Sequence, residues 1–355
     1  MTPTPSRKRP KPVQVGIIGV GGVAQESHIP GYLAVDGVEL YAVCDLIEER
    51  AQKVARQFNI PHVFTDYRDL VALKGLDAVS VCTPNNFHCG PTVAALEADL
   101  HVLCEKPMAG NAEDGAAMVE AARKNKRILQ IGLHVRFQSD IQVLKRFIDA
   151  GELGKVYYGR VVALRRRGIP SWGTFISKAA SGGGPLLDIG VHVLDVAMWL
   201  IGYPKPTTVS GMTMTAFGNR KGIVNPWGEW DVAKFDVEDF ATAQIYLDNG
   251  AVLTLETSWA ANVDDPGPRL LLFGDEGGAR LMPLTIYQQR HGALVNVTPD
   301  IPPQREDPHT TEITAFVEAI RDGKPSPVPA EESLVLARIF DAIYQSSETG
   351  EMIKF

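Results

Sequence analysis

The chain has 355 residues, 45% hydrophobic and 22% charged, which is enough for a sizeable core and long enough for two domains. A formal net charge of −7 excludes a general nucleic-acid surface, which needs a basic field. The one basic cluster, "SRKRPKP" at 6–12, lies in a Pro-rich tail assigned to residues 1–12; no signal-peptide core follows it, and no apolar run reaches the ~18 residues of a membrane span. The four cysteines (Cys44, Cys82, Cys89, Cys104) lack metal-ligand spacing and read as reduced thiols, so a cytoplasmic protein with no metal and no membrane partner is expected.

Taken in chain order, the apolar runs at 13–20, 38–45, 77–83 and 101–106 read as strands, and the amphipathic stretches at 48–59, 90–99 and 113–126 as helices. Near-continuous apolar strands alternating with helices predict a parallel sheet covered on both faces. A further strand, "ILQIGLHVRF" at 128–137, carries the chain out of this layer. A helix at 139–154 follows, then longer strands joined by hairpin signals. In "DFATAQIYLDNGAVLTLETSW" the turn at Asp248, Asn249 and Gly250 links two alternating runs. Ala241, Ala243, Ile245 and Leu247 fall on one face, and Phe240, Thr242, Gln244 and Tyr246 on the other. "RLLLFGDEGGARLMPL" predicts another hairpin, and two helices near 310–322 and 330–347 close the chain. The predicted organisation is an α/β chain: a Rossmann domain at 13–130, then an α+β domain at 131–355 with a large, mostly antiparallel sheet.

Three stretches carry chemistry. "GIIGVGGVA" places Gly19, Gly21, Gly22, Val23 and Ala24 between a strand and a helix, where backbone N–H groups can cradle a pyrophosphate. Asp45 closes the next strand, the position of an acid that binds ribose hydroxyls, and no cation follows at Leu46, which favours NAD over NADP. "CTPNNFH" brings Thr83, Pro84 and Asn85 to a strand end beside the cofactor crevice; His88 either touches the cofactor or caps the next helix. Glu105 and Lys106 end the following strand, with Lys106 a cation beside the reacting centre and Glu105 either anchoring the turn or contacting the cofactor. In "SGGGPLLDIGVHVLDVAMWLIG", Pro185 starts a helix that places Asp188 and His192 at i and i+4, on one face, after a Gly-rich loop open to close approach by substrate.

Together these residues resemble the Gfo/Idh/MocA family, which includes glucose–fructose oxidoreductase and inositol dehydrogenase. The matching stretches are "GIIGVGGVA", "CTPNNFH", "CEKP", "GGGPLLDIGVH" and "DNGAVLTLETSW", in order, from residue 13 onward. The resemblance implies hydride transfer at a sugar or cyclitol carbon, with Lys106, Asp188 and His192 as the reaction centre. In that reading His192 takes the proton, Lys106 stabilises alkoxide character and Asp188 orients the imidazole. The resemblance also implies sheets that pair face to face in a homodimer or homotetramer. The family's G-F-x-x-R-F appears here as "GLHVRF", with His134 and Arg136, a departure that leaves the role of Arg136 open; Arg136 is kept as a candidate substrate contact. Loop residues Trp172, Lys178, Trp227 and Trp230 are candidates for substrate selection or for packing. Two rival functions stand beside an NAD-dependent dehydrogenase: a glycosidase that uses NAD catalytically, and a sugar-sensing regulator without turnover.

Overall fold

The computed structural model describes residues 11–264 and 267–355; most of the basic tail at 6–12 therefore lies outside the described residues. The first sheet has six parallel strands in the order β3-β2-β1-β4-β5-β6. They are β1 (Val13–Ile18), β2 (Val38–Cys44), β3 (His62–Phe64), β4 (Ala78–Val81), β5 (His101–Glu105) and β6 (Leu129–Gly132). The side chains of β1, β4, β5 and β6 are buried almost throughout, as a sheet covered on both faces requires, whereas the edge strand β3 is open. Strand β6 is shorter than the sequence suggests. After Gly132 the chain tightens into a 3-10 turn at His134–Phe137, which aims His134 and Arg136 away from the sheet plane.

The second sheet has nine strands in the order β14-β13-β12-β11-β7-β10-β9-β8-β15. They are β7 (Val156–Leu164), β8 (Pro206–Met214), β9 (Phe240–Leu247), β10 (Val252–Ser258), β11 (Gly267–Gly274), β12 (Gly277–Leu281), β13 (Thr285–Arg290), β14 (Ala293–Val297) and β15 (Ile353–Lys354). Every pairing is antiparallel except β7 with β10. In β9 the alternation holds: Ala241, Ala243, Ile245 and Leu247 are buried, while Gln244 and Tyr246 face solvent. The outward face carries Tyr157, Met212, Tyr246 and Phe273, with an Arg160–Glu256 ion pair across β7 and β10. The apolar helical run Lys178–Leu200 is long enough to cross a membrane, but 72% of its window is buried within the protein.

The last part of the chain departs from the expected division at residue 130. Helix Pro308–Asp322 returns to the first sheet, placing Ile313, Phe316 and Val317 in one apolar cluster with Val13, Val15, Ile17 and Tyr32. The spacing of these three residues gives the helix one apolar stripe, and the outer side of the parallel sheet offers the surface that buries it. Phe316→Ala should therefore cost about 3–5 kcal/mol of stability. Chemical denaturation should show that loss, and a midpoint unchanged from the parent would mean that the helix adds nothing to this core.

Candidate active site

The Gly-rich turn after β1 has the shape that a dinucleotide needs. Gly19 adopts φ +84, and a Cβ there would lie 2.8 Å from the Cys82 carbonyl group, so both backbone and space demand glycine. Over Gly21 a Cβ would meet nothing within 4 Å, which leaves an open cradle above the loop. Asp45 is held at the end of β2 by the backbone N–H of Val20 (3.1 Å) and of Ile47 (2.9 Å). Arg50, at 3.2 Å from the same carboxylate, escaped sequence inspection because it lies one helical turn beyond Leu46. A tight glycine turn, an open cradle and a fixed carboxylate fit an adenosine-ribose and pyrophosphate.

The residues expected near the cofactor also hold the strand end in place. Thr83 Oγ1 donates to the Phe87 carbonyl, Asn85 Nδ2 donates to Ser181 O at 2.8 Å, and Pro84 is exposed between them. The Asn85 amide therefore fastens the end of β4 to the start of the second layer. His88 occupies the N-cap position of the following helix, but its side chain makes no capping hydrogen bond. It is buried, with ring nitrogens 2.9 Å from Pro107 O and 2.7 Å from Thr83 O, and burial lowers its pKa. Glu105 turns inward, accepting from His28 Nε2 at 2.8 Å and from Lys106 N at 3.1 Å, while His28 and Tyr32 meet at Ser80. Burial alone would raise the Glu105 carboxyl; the hydrogen bond from His28 and the proximity of Lys106 outweigh it and hold the group at about 2. Glu105 is thus the anchor of the strand end rather than an open cofactor contact.

Lys106 extends from that anchored end to the second layer. Its Nζ donates to Asp188 O at 3.0 Å and to Asp188 Oδ1 at 3.3 Å. The other carboxylate oxygen, Oδ2, accepts from Trp259 Nε1 at 2.9 Å. Both oxygens of Asp188 are therefore engaged, and neither engages His192, contrary to the expected i, i+4 pair. The helix explains why: Leu186–Gly190 form a π-helical turn, which widens the spiral and moves Asp188 off the face that His192 shares with the α-helix Val191–Leu200. Trp259, the last residue of "DNGAVLTLETSW", is the partner that sequence reasoning passed over.

The glycines before this turn serve packing rather than substrate approach. A Cβ at Gly183 would lie 1.9 Å from the Tyr344 hydroxyl, and one at Gly184 would lie 2.0 Å from Glu238 O. Glu238 caps the turn by accepting from Gly184 N (2.9 Å) and Leu186 N (3.2 Å).

His192 is enclosed by positive and neutral groups. Its Nδ1 is buried without a hydrogen-bond partner among the described residues. The His134 ring stands edge-on at 5.1 Å, and His309 stacks on His134 at 3.6 Å. Burial first, then Lys106, His134, His309 and Arg165, hold the His192 pKa well below the ordinary imidazole value; His134 is pulled down to about 4 by burial and His309. Nothing in the sequence near His192 signals His309, which the returning helix Pro308–Asp322 delivers. A cavity of about 440 Å³ opens beside His192 and His134, bordered by Arg165 and Trp227.

The remaining candidates are not brought to this cavity as expected. Arg136 is only 2% exposed; it holds Asp195 through Nε (2.8 Å) and Nη2 (2.5 Å), and Glu332 through Nη1 (2.6 Å). It is a structural cation, not a substrate contact. Trp230 packs against Phe235 and donates to Gly218 O at 2.6 Å. Trp172 is exposed and meets Trp227 edge-on at 5.1 Å, while Lys178 uses its backbone N–H to cap onto Asp236 and leaves its side chain in solvent. Among the described residues no cluster of His, Cys, Asp or Glu could hold a metal ion.

Comparison with known proteins gives this geometry a lineage. Residues 13–133 match the family profile described as "Oxidoreductase family, NAD-binding Rossmann fold", and residues 141–280 match "GFO/IDH/MocA C-terminal domain". The chain belongs to the Gfo/Idh/MocA family of oxidoreductases. It is 38% identical over 349 residues to D-glucoside 3-dehydrogenase of Escherichia coli (strain K12), covering 97% of both chains. It is 24% identical over 348 residues to myo-inositol 2-dehydrogenase of Thermotoga maritima, covering 96% of this chain and 98% of that one. Among solved structures, aldose-aldose oxidoreductase from Caulobacter crescentus superimposes with a TM-score of 0.80 at 25% identity, covering 97% of this chain and all of that one. This Gfo/Idh/MocA member is an NAD-dependent oxidoreductase. A carboxylate at Asp45 repels a 2′-phosphate, so NADH should bind more tightly than NADPH. Asp45→Ser, which leaves the Arg50 cation in place, should narrow the gap in a fluorescence titration. Equal binding of both cofactors by the parent protein would contradict this.

Proposed function

We propose that this protein oxidises a hydroxyl group of a sugar, cyclitol or sugar derivative at the expense of NAD, or runs the reverse reduction. The observation that carries the reading is the Lys106–Asp188–Trp259 clamp, which fixes an ammonium group near a half-buried His192 whose Nδ1 is buried and whose pKa is depressed, at the edge of a cavity. The relatives named as glucoside and inositol dehydrogenases support it. The loop at Gly19, Gly21, Gly22, Val23 and Ala24 would hold the pyrophosphate and Asp45 the adenosine ribose. Bound NAD supplies the hydride acceptor.

The chain's own residues handle the proton. A neutral imidazole has one bare ring nitrogen, so His192 accepts the hydroxyl proton and returns it in the reverse direction. Lys106 donates a hydrogen bond to the same oxygen as it gains alkoxide character, and the shielded site strengthens that attraction. Asp188 acts on Lys106 rather than on His192: with one oxygen fixed by Trp259, it fixes the direction of the ammonium group. Four cysteines that are all free, three of them buried, support a cytoplasmic setting. The outward sheet face, apolar at Tyr157, Met212, Tyr246 and Phe273 yet threaded with polar residues, supports a homodimer or homotetramer that pairs these faces.

Lys106→Ala and His192→Ala should each lower kcat by about 10²–10⁴ while NADH binding survives, because both act mainly in the transition state. Since surrounding groups depress the His192 pKa, its basic form persists well below ~6.5, and kcat/KM for oxidation should keep its value through that pH. Retained turnover in both variants, or an acid limb centred near ~6.5, would argue against these roles. Sedimentation should give a dimer or tetramer; a monomer at every concentration would sink the proposed assembly.

A further inference from the structure

A second imidazole lines the cavity beside His192, and the proposed proton transfer does not use it. His134 stands edge-on to His192 at 5.1 Å, and neither nitrogen of its ring forms a hydrogen bond among the described residues. Its Nδ1 is buried, so Nε2 is the atom that it can offer to a ligand. The arginines of the lining are placed otherwise. Arg165 lies 5.0 Å from the Trp227 ring and donates to Gly168 O at 3.4 Å. Arg167 donates to Ala261 O at 3.1 Å and to Asn262 Oδ1 at 2.8 Å, while Arg269 is exposed on β11.

His134 is nevertheless held in place. His309 stacks on it at 3.6 Å with 20° between the ring planes. Asp307 orients His309 in turn: it caps the returning helix by accepting from His309 N at 2.9 Å, and the same Oδ1 lies 3.1 Å from His309 Nδ1. A phenyl ring would stack on His309 as readily as an imidazole, so packing does not call for the two nitrogens. A polar ring that packing does not require, fixed beside the base and left without a protein partner, calls for a partner from outside the chain.

We propose that His134 is a substrate contact that binds the hydroxyl on the carbon next to the one oxidised, with His309 and Asp307 as its positioning residues. The inference rests on the dehydrogenase reading for the reacting carbon and on the geometry of His192, His134 and His309 for the neighbouring hydroxyl. Two rings 5.1 Å apart can each reach one of two oxygens on adjacent carbons through hydrogen bonds of about 2.9 Å. A neutral imidazole offers one donor and one acceptor, and a hydroxyl answers either; burial and His309 pull the His134 pKa down to about 4, which keeps the ring neutral. The carbinol carbon gives a hydride to NAD⁺ and its hydroxyl gives a proton to His192. The products are an α-hydroxy ketone, NADH and protonated His192, and the hydroxyl at His134 is unchanged.

The test uses the full-length protein with NAD⁺ and follows NADH formation from methyl β-D-glucopyranoside, myo-inositol and the monodeoxy analogues of each. Nuclear magnetic resonance of the product locates the oxidised carbon. Loss of a hydroxyl next to that carbon should lower kcat/KM by about 10–100-fold, as expected when a site built to bind a hydroxyl is left unpaired. His134→Phe, which keeps the stack, should shrink that loss to within about threefold; His134→Leu replaces it if the Phe variant does not fold. His309→Ala should weaken the discrimination and His309→Phe restore it, whereas a role in folding alone would leave the ratio unmoved. Equal kcat/KM for every analogue that keeps the reacting hydroxyl would overturn the His134 contact and leave the dehydrogenase reading standing, as would discrimination unchanged in the His134 variant. Calorimetry with NADH present separates the converse case. Weaker binding of a deoxy analogue that depends on His134, with no NADH from either polyol, would uphold the contact and overturn dehydrogenation. Neither binding nor turnover of either polyol would overturn both.

Discussion

One guanidinium, that of Arg136, ties together the elements through which the two layers meet. It sits where the chain leaves the first sheet and grips Asp195 with two nitrogens, Glu332 with a third, while the Tyr203 hydroxyl shares the same Asp195 oxygen. Three separate elements are thereby joined: the turn at His134–Phe137, helix Val191–Leu200 and helix Ala330–Thr349. A paired, planar fork of hydrogen bonds has narrow angular tolerance, so it sets orientation as well as attraction. Whether such a buried pair adds net stability is a separate matter, since its desolvation opposes its attraction. Its value here is positional: Asp195 rides on the helix that carries His192, and Arg136 is two residues from His134.

Electrostatics around His192 follow from that orientation. His192, the base in the proposed reaction, is surrounded by a lysine, an arginine and two further imidazoles, all of which disfavour its protonated state. Lys106 would be an equally awkward neighbour for the rest of the pocket without Asp188, whose carboxylate answers its charge locally. In the proposed reaction the same arrangement would keep His192 neutral at rest and offer a cation to an oxygen that becomes negative. Trp259, buried completely, gives Asp188 a rigid partner that does not itself titrate.

Much of this was legible because it is local. Gly19 and Gly21 follow a strand and precede a helix within a few residues, and Asp45 ends the neighbouring strand, so sequence distance and spatial role coincide. The positions of Lys106 and His192 were legible for a related reason: each sits at a fixed place on or beside an element whose type the pattern reveals. The partnership of Asp188 was not, because an i, i+4 argument assumes an α-helix, and one π-turn at Leu186–Gly190 breaks the phase. Arg136 looked like a free cation because its partners are distant in sequence, Asp195 by 59 positions and Glu332 by 196. His309 had no local signal at all. Periodicity assigned its helix a stripe but could not say which layer that stripe would meet.

The return of helix Pro308–Asp322 to the first sheet bears on how the chain is made. During synthesis the nucleotide-binding strands leave the ribosome first, yet Ile313, Phe316 and Val317 emerge after nearly everything else. The first-born layer must wait with an apolar flank uncovered until the last helices arrive, and contacts between the two span most of the chain. Such non-local closure slows folding and prolongs exposure of sticky surface. Completion of the first layer is therefore timed by Ile313, Phe316 and Val317 rather than by its own strands.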